Sequence, residues 1–311
     1  MKIRLPKKWV EYNDSGFGSK PENEPTRLIN QDGSVNVRKT GVGILQQFSI
    51  FHFLVTIKWR WFNLYVVLSF LTINAFFASL YYLIEPASIA SSNIDGFDSF
   101  MDAFYFSAQT FSTVGYGRLN PLSNAGNIIS VLEMLIGMMY LALATGLLYA
   151  RFSRPVSKVL FSDKALIAPY LDRTGLMFRI SNAKNNLLIN VEVRVLLTMK
   201  LEVNGKIERK FFILPLERNR IDLLSLSWTV VHPIDDDSPL NGLTEKIFNE
   251  SDPEIVVLVN GFNDTLSQSI HHRTSYKYPE VEWDAKFDYI FSTKKGKTII
   301  DLSRISSFSK V

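Results

Sequence analysis

Five consecutive residues carry the groups best suited to bind an ion: residues 113–117, Thr-Val-Gly-Tyr-Gly. Threonine supplies a hydroxyl and a carbonyl oxygen, and the following residues supply carbonyl oxygens that face an ion when the backbone takes unusual dihedral angles. Gly115 and Gly117 have no Cβ atom, so both can take a positive φ without a steric penalty. Four copies of such a loop around one axis would form stacked oxygen rings that replace the water around a dehydrated K⁺.

We therefore predict that Thr113, Val114, Gly115 and Tyr116 bind K⁺ and that Gly117 completes a selectivity filter. The same pentapeptide is the known signature of K⁺ selectivity filters. The alternative is a glycine-rich surface turn in a soluble domain, and it is disfavoured because both flanks resemble membrane spans. K⁺ is expected as the permeant ion, and no cofactor is expected.

Two long apolar stretches flank this loop, at residues 62–84 and 128–150. Each is long enough to cross a bilayer, which takes about 20 helical residues. Between them, residues 100–112 predict a helix of about 18 Å, which is too short to span. This helix runs straight into Thr113, so the negative end of its dipole would favour a cation there. Non-helical backbone at this depth is tolerated where it is buried in protein or lines a water-filled path, as a filter does.

A further helix is predicted before the first span, within residues 44–60. Its apolar residues fall on one face and a narrow polar strip lies on the other, which is typical of a helix in the membrane interface. The alternative is that these residues are the first turns of the following span. Positive charge lies beside both spans, at Lys58 and Arg60 and at Arg151 and Arg154. The positive-inside rule then predicts that both termini are cytoplasmic and that the pore loop faces outward.

The second span contains one ionisable residue, Glu133. A carboxyl group inside a span is a functional-site hypothesis by default, and its position predicts that it lies level with the filter. The alternative is a packing residue that is protonated or hydrogen-bonded. Gly137 and Gly146 are candidate bending points, although glycine in membrane helices more often permits close packing.

Residues 156–311 predict a domain of many short strands. Apolar or alternating runs recur at residues 176–180, 191–203, 211–216, 224–231, 255–259, 286–291 and 298–302. Asn204-Gly205 is a strong hairpin-turn signal, and Lys295-Gly296 is a weaker one. Short strands with turn residues between them and little helical periodicity favour a β-sandwich.

The composition narrows the class of protein. The chain has 311 residues, a formal net charge of +4, 47% hydrophobic residues and no cysteine, which excludes a disulfide scaffold and thiolate chemistry. His52, His232, His271 and His272 lack metal-ligand spacing; we expect His232 to be structural and the last two to lie in a solvated loop. The sequence contains no catalytic motif and no basic patch with stacking aromatics, so we expect neither an enzyme nor a nucleic-acid partner.

Together these segments resemble an inward-rectifier potassium channel of the prokaryotic branch (KirBac), from about residue 30 to residue 308. Beyond the filter and the Lys-Trp-Arg-Trp of residues 58–61, the resemblance is carried by residues 31–37 (Gln-Asp-Gly-Ser-Val-Asn-Val), 150–155 (Ala-Arg-Phe-Ser-Arg-Pro), 160–162, 225–235, 238–240 and 273–276. Residues 31–37 resemble the family's cytoplasmic strand before the interfacial helix.

The resemblance implies a homotetramer in the bacterial inner membrane, with a cytoplasmic immunoglobulin-like β-sandwich. It implies that Leu141 and Tyr149 line the pore, with Tyr149 at the narrowing of the helix bundle. Residues 262–276 would include the loop that narrows the cytoplasmic pore. The residues that would contact anionic lipid are Lys58, Trp59, Arg60, Arg151 and Arg154.

Several positions depart from animal members of that family. Gln109 stands where they place a pore-helix Glu, and Arg118 directly follows the filter, so that Glu–Arg pair is not carried over. Val156 and Ser157 occupy part of their basic cluster, so tight phosphoinositide activation is not carried over from the resemblance. Leu141, Asn204 and Asn260 stand where strong rectifiers carry acids, so weak rectification is expected. The outer segment also lacks the cysteines of their extracellular disulfide.

The predicted fold class is a two-transmembrane-helix potassium channel pore with a re-entrant pore helix, followed by a cytoplasmic immunoglobulin-like β-sandwich. We expect an irregular cytoplasmic segment over residues 1–43, an interfacial slide helix over 44–60, the pore domain over 61–154 and the β-sandwich over 155–311. Glu133, Arg118 and Gln109 are the expected filter supports, and Gly137 is the expected hinge. Two alternatives remain, a K⁺ channel gated by a soluble ligand and a membrane-anchored sensor module whose pore does not conduct.

Overall fold

The computed structural model describes residues 11–12, 27–37, 41, 43, 49–84, 89–91, 100–121, 123–153, 158–203 and 206–311. These fall into two compact units, a pore unit within residues 40–154 and a β unit within residues 1–39 and 155–311. The described elements are, in chain order, β1 (Glu11–Tyr12), α1 (Ile50–Thr56), α2 (Trp59–Ile84), β2 (Ile89–Ser91), α3 (Phe100–Phe111), β3 (Leu119–Pro121), α4 (Asn124–Phe152), β4 (Val159–Phe161), β5 (Ala165–Tyr170), β6 (Arg173–Asn182), β7 (Leu188–Val203), β8 (Lys206–Leu214), β9 (Arg220–Leu224), β10 (Ser227–Ile234), α5 (Glu245–Glu250), β11 (Glu254–Asn263), β12 (Gln268–Lys277), β13 (Val281–Trp283), β14 (Ala285–Phe287), β15 (Phe291–Lys294), β16 (Lys297–Ile300) and β17 (Phe308–Lys310), with short 3₁₀ turns at Tyr278–Glu280 and Leu302–Arg304.

Two helices of the pore unit are long and apolar enough to cross a membrane. Helix α2 has 26 residues and helix α4 has 29, and each contains an apolar stretch long enough to span. Helix α4 begins after Ser123, whose hydroxyl accepts a hydrogen bond from the Gly126 amide at 3.0 Å. Such an N-cap satisfies one of the amides that lack a partner within the helix.

The short helix α3 packs against both long helices and has a buried face. Ala103, Phe106 and Phe111 of α3 are buried, as are Phe77 and Tyr81 of α2. The rings of Tyr81 and Phe106 meet edge to face with centroids 5.0 Å apart. Because its apolar face is fixed in this way, the C-terminal end of α3 has a defined place from which the filter residues start.

The junction before the first span differs from the sequence prediction. We expected a slide helix over residues 44–60, but within the described residues α1 ends at Thr56 and Trp59 already belongs to α2. Ile57 leaves the helical conformation, with φ −59° and ψ 153°, so helix α1 ends before Lys58. The Trp59 ring then packs against Phe62 and Phe152, with centroids 5.9 and 5.1 Å away. Residues 44–48 lie outside the described part of the chain.

The two large sheets of the β unit form a sandwich, and two small sheets, β14-β17 and β15-β16, accompany them. One sheet has the strand order β1-β8-β7-β11-β12, with β9 also pairing with β7, and the other has the order β10-β6-β5-β13, with β4 pairing with β6. The pairs are antiparallel except β5–β13, which is parallel. Residues from both sheets form one buried core, among them Phe178, Ile180, Leu197, Val257 and Tyr276.

Both predicted hairpins are present. Val203 pairs with Lys206 across the β7–β8 turn, although residues 204–205 themselves lie outside the described part of the chain. Lys294 pairs with Lys297, and the two turn residues Lys295 and Gly296 have φ of 50° and 72°. Two successive positive φ values match the turn type whose twist suits a two-residue hairpin.

Three strand predictions were wrong in detail. The run at residues 224–231 is two strands, β9 and β10, because the chain crosses between the sheets at residues 225–226. The run at residues 286–291 is likewise split between β14 and β15. Residues 31–37 are not a strand; residues 31–33 form a turn, and the isolated bridge between Ile29 and Val35 closes it. The N-terminal segment, which we expected to be largely irregular, includes a two-residue strand, since Glu11 and Tyr12 pair with β8.

Candidate functional site

The candidate filter has an alternating backbone conformation. Thr113, Gly115 and Gly117 have φ of 60°, 53° and 75°, whereas Val114 and Tyr116 are not among the residues with positive φ. Where residues of opposite backbone handedness alternate, successive peptide groups turn their amides to one side and their carbonyls to the other. The loop can therefore present a row of carbonyl oxygens to a single ion path.

Thr113 is a feature that sequence reasoning missed. We expected positive φ at the two glycines, but Thr113 is β-branched, and such residues almost never take φ of 60°. Backbone strain of this kind persists only where the surrounding structure enforces it, and it concentrates at functional sites. Nothing in the residue type predicted a positive φ at this position, because the hydroxyl as a K⁺ ligand already accounted for the threonine.

The end of helix α3 holds the first filter residues by backbone hydrogen bonds. The carbonyl oxygen of Gln109 accepts from the amides of Val114 at 3.0 Å and Gly115 at 3.3 Å, and the carbonyl of Thr110 accepts from Thr113 at 3.0 Å. Gln109 thus contacts the first filter residues through its backbone carbonyl, and this contact does not depend on its amide side chain.

The far end of the loop is fixed by its neighbours in sequence. The Asn120 side chain donates to the Gly117 carbonyl at 3.3 Å, and Leu119 is buried at the start of β3. Strand β3 pairs with β2, which ties the segment after the filter to the segment before α3. Arg118, the other predicted support, is exposed between Gly117 and β3.

Glu133 lies against the pore helix α3 and joins three helices. Its carboxyl group accepts a hydrogen bond from the Tyr81 hydroxyl of α2 at 2.7 Å and contacts the Ser107 hydroxyl of α3. The Glu133 residue is 0% exposed. The structure thus brings this residue to the pore helix, and its role as a filter support stays a prediction.

Gly137 lies one helical turn after Glu133 and also faces α3. A Cβ atom built at Gly137 would lie 2.1 Å from the carbonyl oxygen of Phe111, so no larger residue fits without movement. Helix α4 runs through this position unbroken. Close packing therefore accounts for the glycine, and its role as a hinge stays a prediction.

Leu141 and Tyr149 are exposed in the single chain, with 61% and 75% of their surface accessible. They are two helical turns apart on α4, and residues at that spacing share a face. That face has no covering partner from the described residues of the pore unit, which is the arrangement that a pore-lining surface requires.

The predicted lipid contacts divide into two kinds. Lys58, Trp59 and Arg60 are exposed, whereas Arg151 is buried. The Arg151 guanidinium donates to the carbonyl oxygens of Leu54 and Ile57 at the end of α1, and it stacks on the rings of Trp59 and Phe62, 4.6 and 4.5 Å from their centroids. Any lipid headgroup would compete with these contacts. Arg154 lies outside the described residues.

The histidines do not form a metal site among the described residues, where no group of acidic, histidine or cysteine side chains has suitable geometry. His232 is structural, because its Nδ1 donates to the Pro215 carbonyl at 2.6 Å and its Nε2 lies 2.8 Å from the Ser238 hydroxyl. Burial lowers the pKa of His232, so Nε2 is an acceptor at neutral pH.

We expected His271 and His272 to lie in a solvated loop. That prediction is wrong, because both residues lie in strand β12. His271 is exposed, and its Nδ1 donates to Asn260 Oδ1 of β11 at 2.8 Å. Residues 262–276, expected to include a constricting loop, form most of the β11–β12 hairpin, and only residues 264–267 lie outside its strands.

Comparisons with known proteins match both units. A family model described as "Ion channel" matches residues 51–154, and one described as "Inward rectifier potassium channel C-terminal domain" matches residues 159–311. The inward rectifier potassium channel Kirbac3.1 of Paramagnetospirillum magnetotacticum is 36% identical over 298 residues, which cover 94% of this chain and 99% of that protein.

Two further similarities are more distant. The G protein-activated inward rectifier potassium channel 1 of Bos taurus is 26% identical over 319 residues, which cover 94% of this chain and 62% of that protein. Among solved structures, the sporulation control protein Spo0M of Bacillus subtilis has 12% identity and a TM-score of 0.23, over 42% of this chain and 50% of its own. A likeness at that level carries no functional argument.

Proposed function

This chain belongs to the prokaryotic inward-rectifier potassium channels, and from that premise we propose which of its residues conduct and gate K⁺. The family assignment makes the chain a membrane K⁺ channel of the inward-rectifier type, with a two-span pore and a cytoplasmic β-sandwich. The proposed K⁺ ligands are the oxygens of Thr113, Val114, Gly115 and Tyr116, and Gly117 closes the filter.

The observation that carries this proposal is the alternating φ at residues 113, 115 and 117, at the end of a short helix. A dehydrated K⁺ has lost its water oxygens, and rings of backbone carbonyls replace them without a counter-charge that would trap the ion. The C-terminal end of α3 adds a partial negative charge at the inner mouth of the filter, which favours a cation there.

We propose that four chains assemble around this filter. One chain supplies only one side of an ion path, and Val114 and Tyr116 are 53% and 79% exposed in it. Exposed apolar surfaces of this kind mark interaction sites in folded proteins. In the proposed homotetramer, neighbouring chains cover the filter side chains, and the four carbonyl rows face one another.

The gate and the membrane orientation are further parts of the proposal. Leu141 would line the cavity and Tyr149 would narrow the helix bundle, with Gly137 as a candidate hinge. Lys58, Arg60 and Arg154 support a cytoplasmic location of both termini in the bacterial inner membrane. Anionic lipid headgroups would bind Lys58, Trp59, Arg60 and Arg154, and Arg151 would do so only by giving up its carbonyl partners.

Three residues are proposed to support the filter. Gln109 holds it through a backbone carbonyl, Glu133 holds the pore helix from behind, and Arg118 flanks its outer end. Uptake of Rb⁺ by liposomes that contain the purified full-length chain tests conduction. We expect Rb⁺ to enter liposomes that are loaded with K⁺, and we expect external Na⁺ not to enter in its place. Equal uptake of Na⁺ would refute K⁺ selectivity.

A further inference from the structure

Four polar side chains form a continuous hydrogen-bonded chain in the apolar interior of the pore unit. Tyr81 and Asn74 belong to α2, Ser107 to α3 and Glu133 to α4, and none of them is more than 1% exposed. Charged groups at such depth in a membrane protein are costly, and they pair with one another or with backbone groups. The partners of each group therefore report where its protons lie.

Ser107 has more acceptors around it than it has protons. Its hydroxyl oxygen lies 3.1 Å from the backbone oxygen of Asn74, 3.0 Å from Asn74 Oδ1, and in close contact with Glu133 Oε1. A serine hydroxyl donates a single proton. If that proton points to Asn74, the contact with Glu133 needs a proton from the carboxyl group.

The orientation of Asn74 fixes the direction of the chain. Its Nδ2 donates to the carbonyl oxygen of Phe70 at 2.7 Å, so Oδ1 must face Ser107; the flipped amide would place two oxygens against each other. If Glu133 were ionised, Ser107 would donate to it, and Asn74 Oδ1 would be buried without a donor from the described residues. Buried polar groups of that kind are rare and costly.

Tyr81 settles which carboxyl oxygen bears the proton. Its hydroxyl lies 2.7 Å from Glu133 Oε2, and the phenol proton has no other acceptor among the contacts of the described residues. Tyr81 therefore donates to Oε2, and a carboxyl proton belongs on Oε1, which faces Ser107. The hydrogen bonds then run in one direction, from Tyr81 through Glu133 and Ser107 to Asn74 and the Phe70 carbonyl.

We propose that Glu133 is a neutral, protonated carboxyl group that donates to Ser107, and that it acts as a positioning residue for the pore helix. The positioning role rests on the proposed filter function, because it matters only if the end of α3 holds a filter; the protonation itself does not. Through this chain, α3 is tied to both spans, with Tyr81 and Asn74 on one side and Glu133 on the other. No net charge is then buried behind the filter.

Infrared spectroscopy of the full-length protein in lipid at neutral pH tests the protonation directly. We expect the carbonyl stretch of a protonated carboxylic acid in the wild type and its absence in Glu133→Gln. In Tyr81→Phe the same band should move to higher frequency, because Oε2 loses a hydrogen bond. A wild type whose difference from Glu133→Gln contains only carboxylate bands would overturn the proposal, whether or not the protein conducts.

A second measurement separates positioning from mere filling of space. Glutamine can accept from Tyr81 and donate to Ser107, whereas leucine can do neither. We expect Glu133→Gln to keep the selectivity of the wild type for K⁺ over Na⁺, and Glu133→Leu and Ser107→Ala to lower it while the protein remains assembled. Equal selectivity in the glutamine and leucine variants would overturn the positioning role. If Glu133→Gln fails to assemble, the band shift in Tyr81→Phe still decides the protonation.

Discussion

The Cα of Gly137 on the second span lies so close to Phe111, the last residue of the pore helix, that a Cβ at residue 137 would be 2.1 Å from the Phe111 carbonyl oxygen. The partner in this contact is backbone, so rotation of a side chain cannot relieve a clash. The inner span therefore touches the pore helix at the residue from which the filter loop begins.

Replacing Gly137 with alanine should destabilise the assembled protein. Overpacking a filled interior costs about 1–3 kcal/mol, and here the cost falls on the segment that holds the filter. The thermal unfolding temperature of the purified protein and its Rb⁺ uptake should both decrease. The matched control is Gly146→Ala, because a Cβ at residue 146 meets nothing within 4 Å and alanine favours a helix by about 1 kcal/mol. Equal stability of the two variants would contradict the packing role.

Arg151 should hold the interfacial helix α1 to the end of α4. A hydrogen bond from a charged donor contributes about 1.5–3 kcal/mol, and Arg151 donates to two carbonyls of the α1 end. In Arg151→Met, amide hydrogen exchange in α1 should therefore accelerate by at least about tenfold. Lys58→Met serves as the control, since Lys58 is exposed. Unchanged exchange in Arg151→Met would show that α1 does not depend on this arginine.

Tyr149 should restrict ion flow if its ring narrows the helix bundle. Truncation in Tyr149→Ala should then raise basal Rb⁺ uptake, because four rings would be removed from the path. Leu143→Ala is the matched control, since Leu143 is 67% exposed and lies on a different face of α4. If the two variants take up Rb⁺ alike, the constriction lies elsewhere, with residues 262–276 as the next candidate.

Rectification by cytoplasmic polycations should be weak. Spermine block needs rings of carboxylates in a narrow path of low dielectric, where charges interact much more strongly than in water. Leu141 and Asn260 carry no charge, and neither does Asn204, which lies outside the described residues. Single-channel or bilayer currents should show steep spermine block in Leu141→Asp but not in Leu143→Asp. Steep voltage-dependent block of the wild type would defeat this prediction.

The sequence predicted the pore elements well because each has a local signal. Span length follows from the extent of an apolar run, and the filter prediction rests on a pentapeptide whose neighbours are too apolar for a surface turn. The positive φ of Thr113 had no such signal, because residue type disfavours it and only the surrounding structure enforces it. Likewise, the closeness of Gly137 to Phe111 depends on how two helices pack.

In the β unit, the sequence indicated several strands but did not indicate where the chain passes from one sheet to the other. The apolar run at residues 224–231 has no break in hydrophobicity, yet its halves pair with β7 in one sheet and β6 in the other. Strand β12 was overlooked because its polar and charged residues hide the alternation of Ile270, Thr274 and Tyr276. Trp59 was placed on the wrong helix, since an aromatic residue suits both an interfacial face and a span end.

The central claim is that the backbone of residues 113–117 selects K⁺, and Gly115 tests it most directly. Its φ is 53°, and a left-handed conformation costs a residue with a Cβ about 1–2 kcal/mol. In the proposed tetramer this cost is imposed four times. The matched control is Gly296→Ala, where φ is 72° and a Cβ meets nothing within 4 Å, in a hairpin of the β unit.

The measurement is K⁺-selective Rb⁺ uptake by liposomes containing equal amounts of assembled wild type, Gly115→Ala or Gly296→Ala protein. The filter assignment predicts that Rb⁺ uptake through Gly115→Ala falls at least about tenfold, or that this variant no longer prefers K⁺ over Na⁺. The reason is a strain of about 1–2 kcal/mol per chain. Gly296→Ala should conduct as the wild type does. Unchanged, selective uptake in Gly115→Ala would contradict the assignment of the filter.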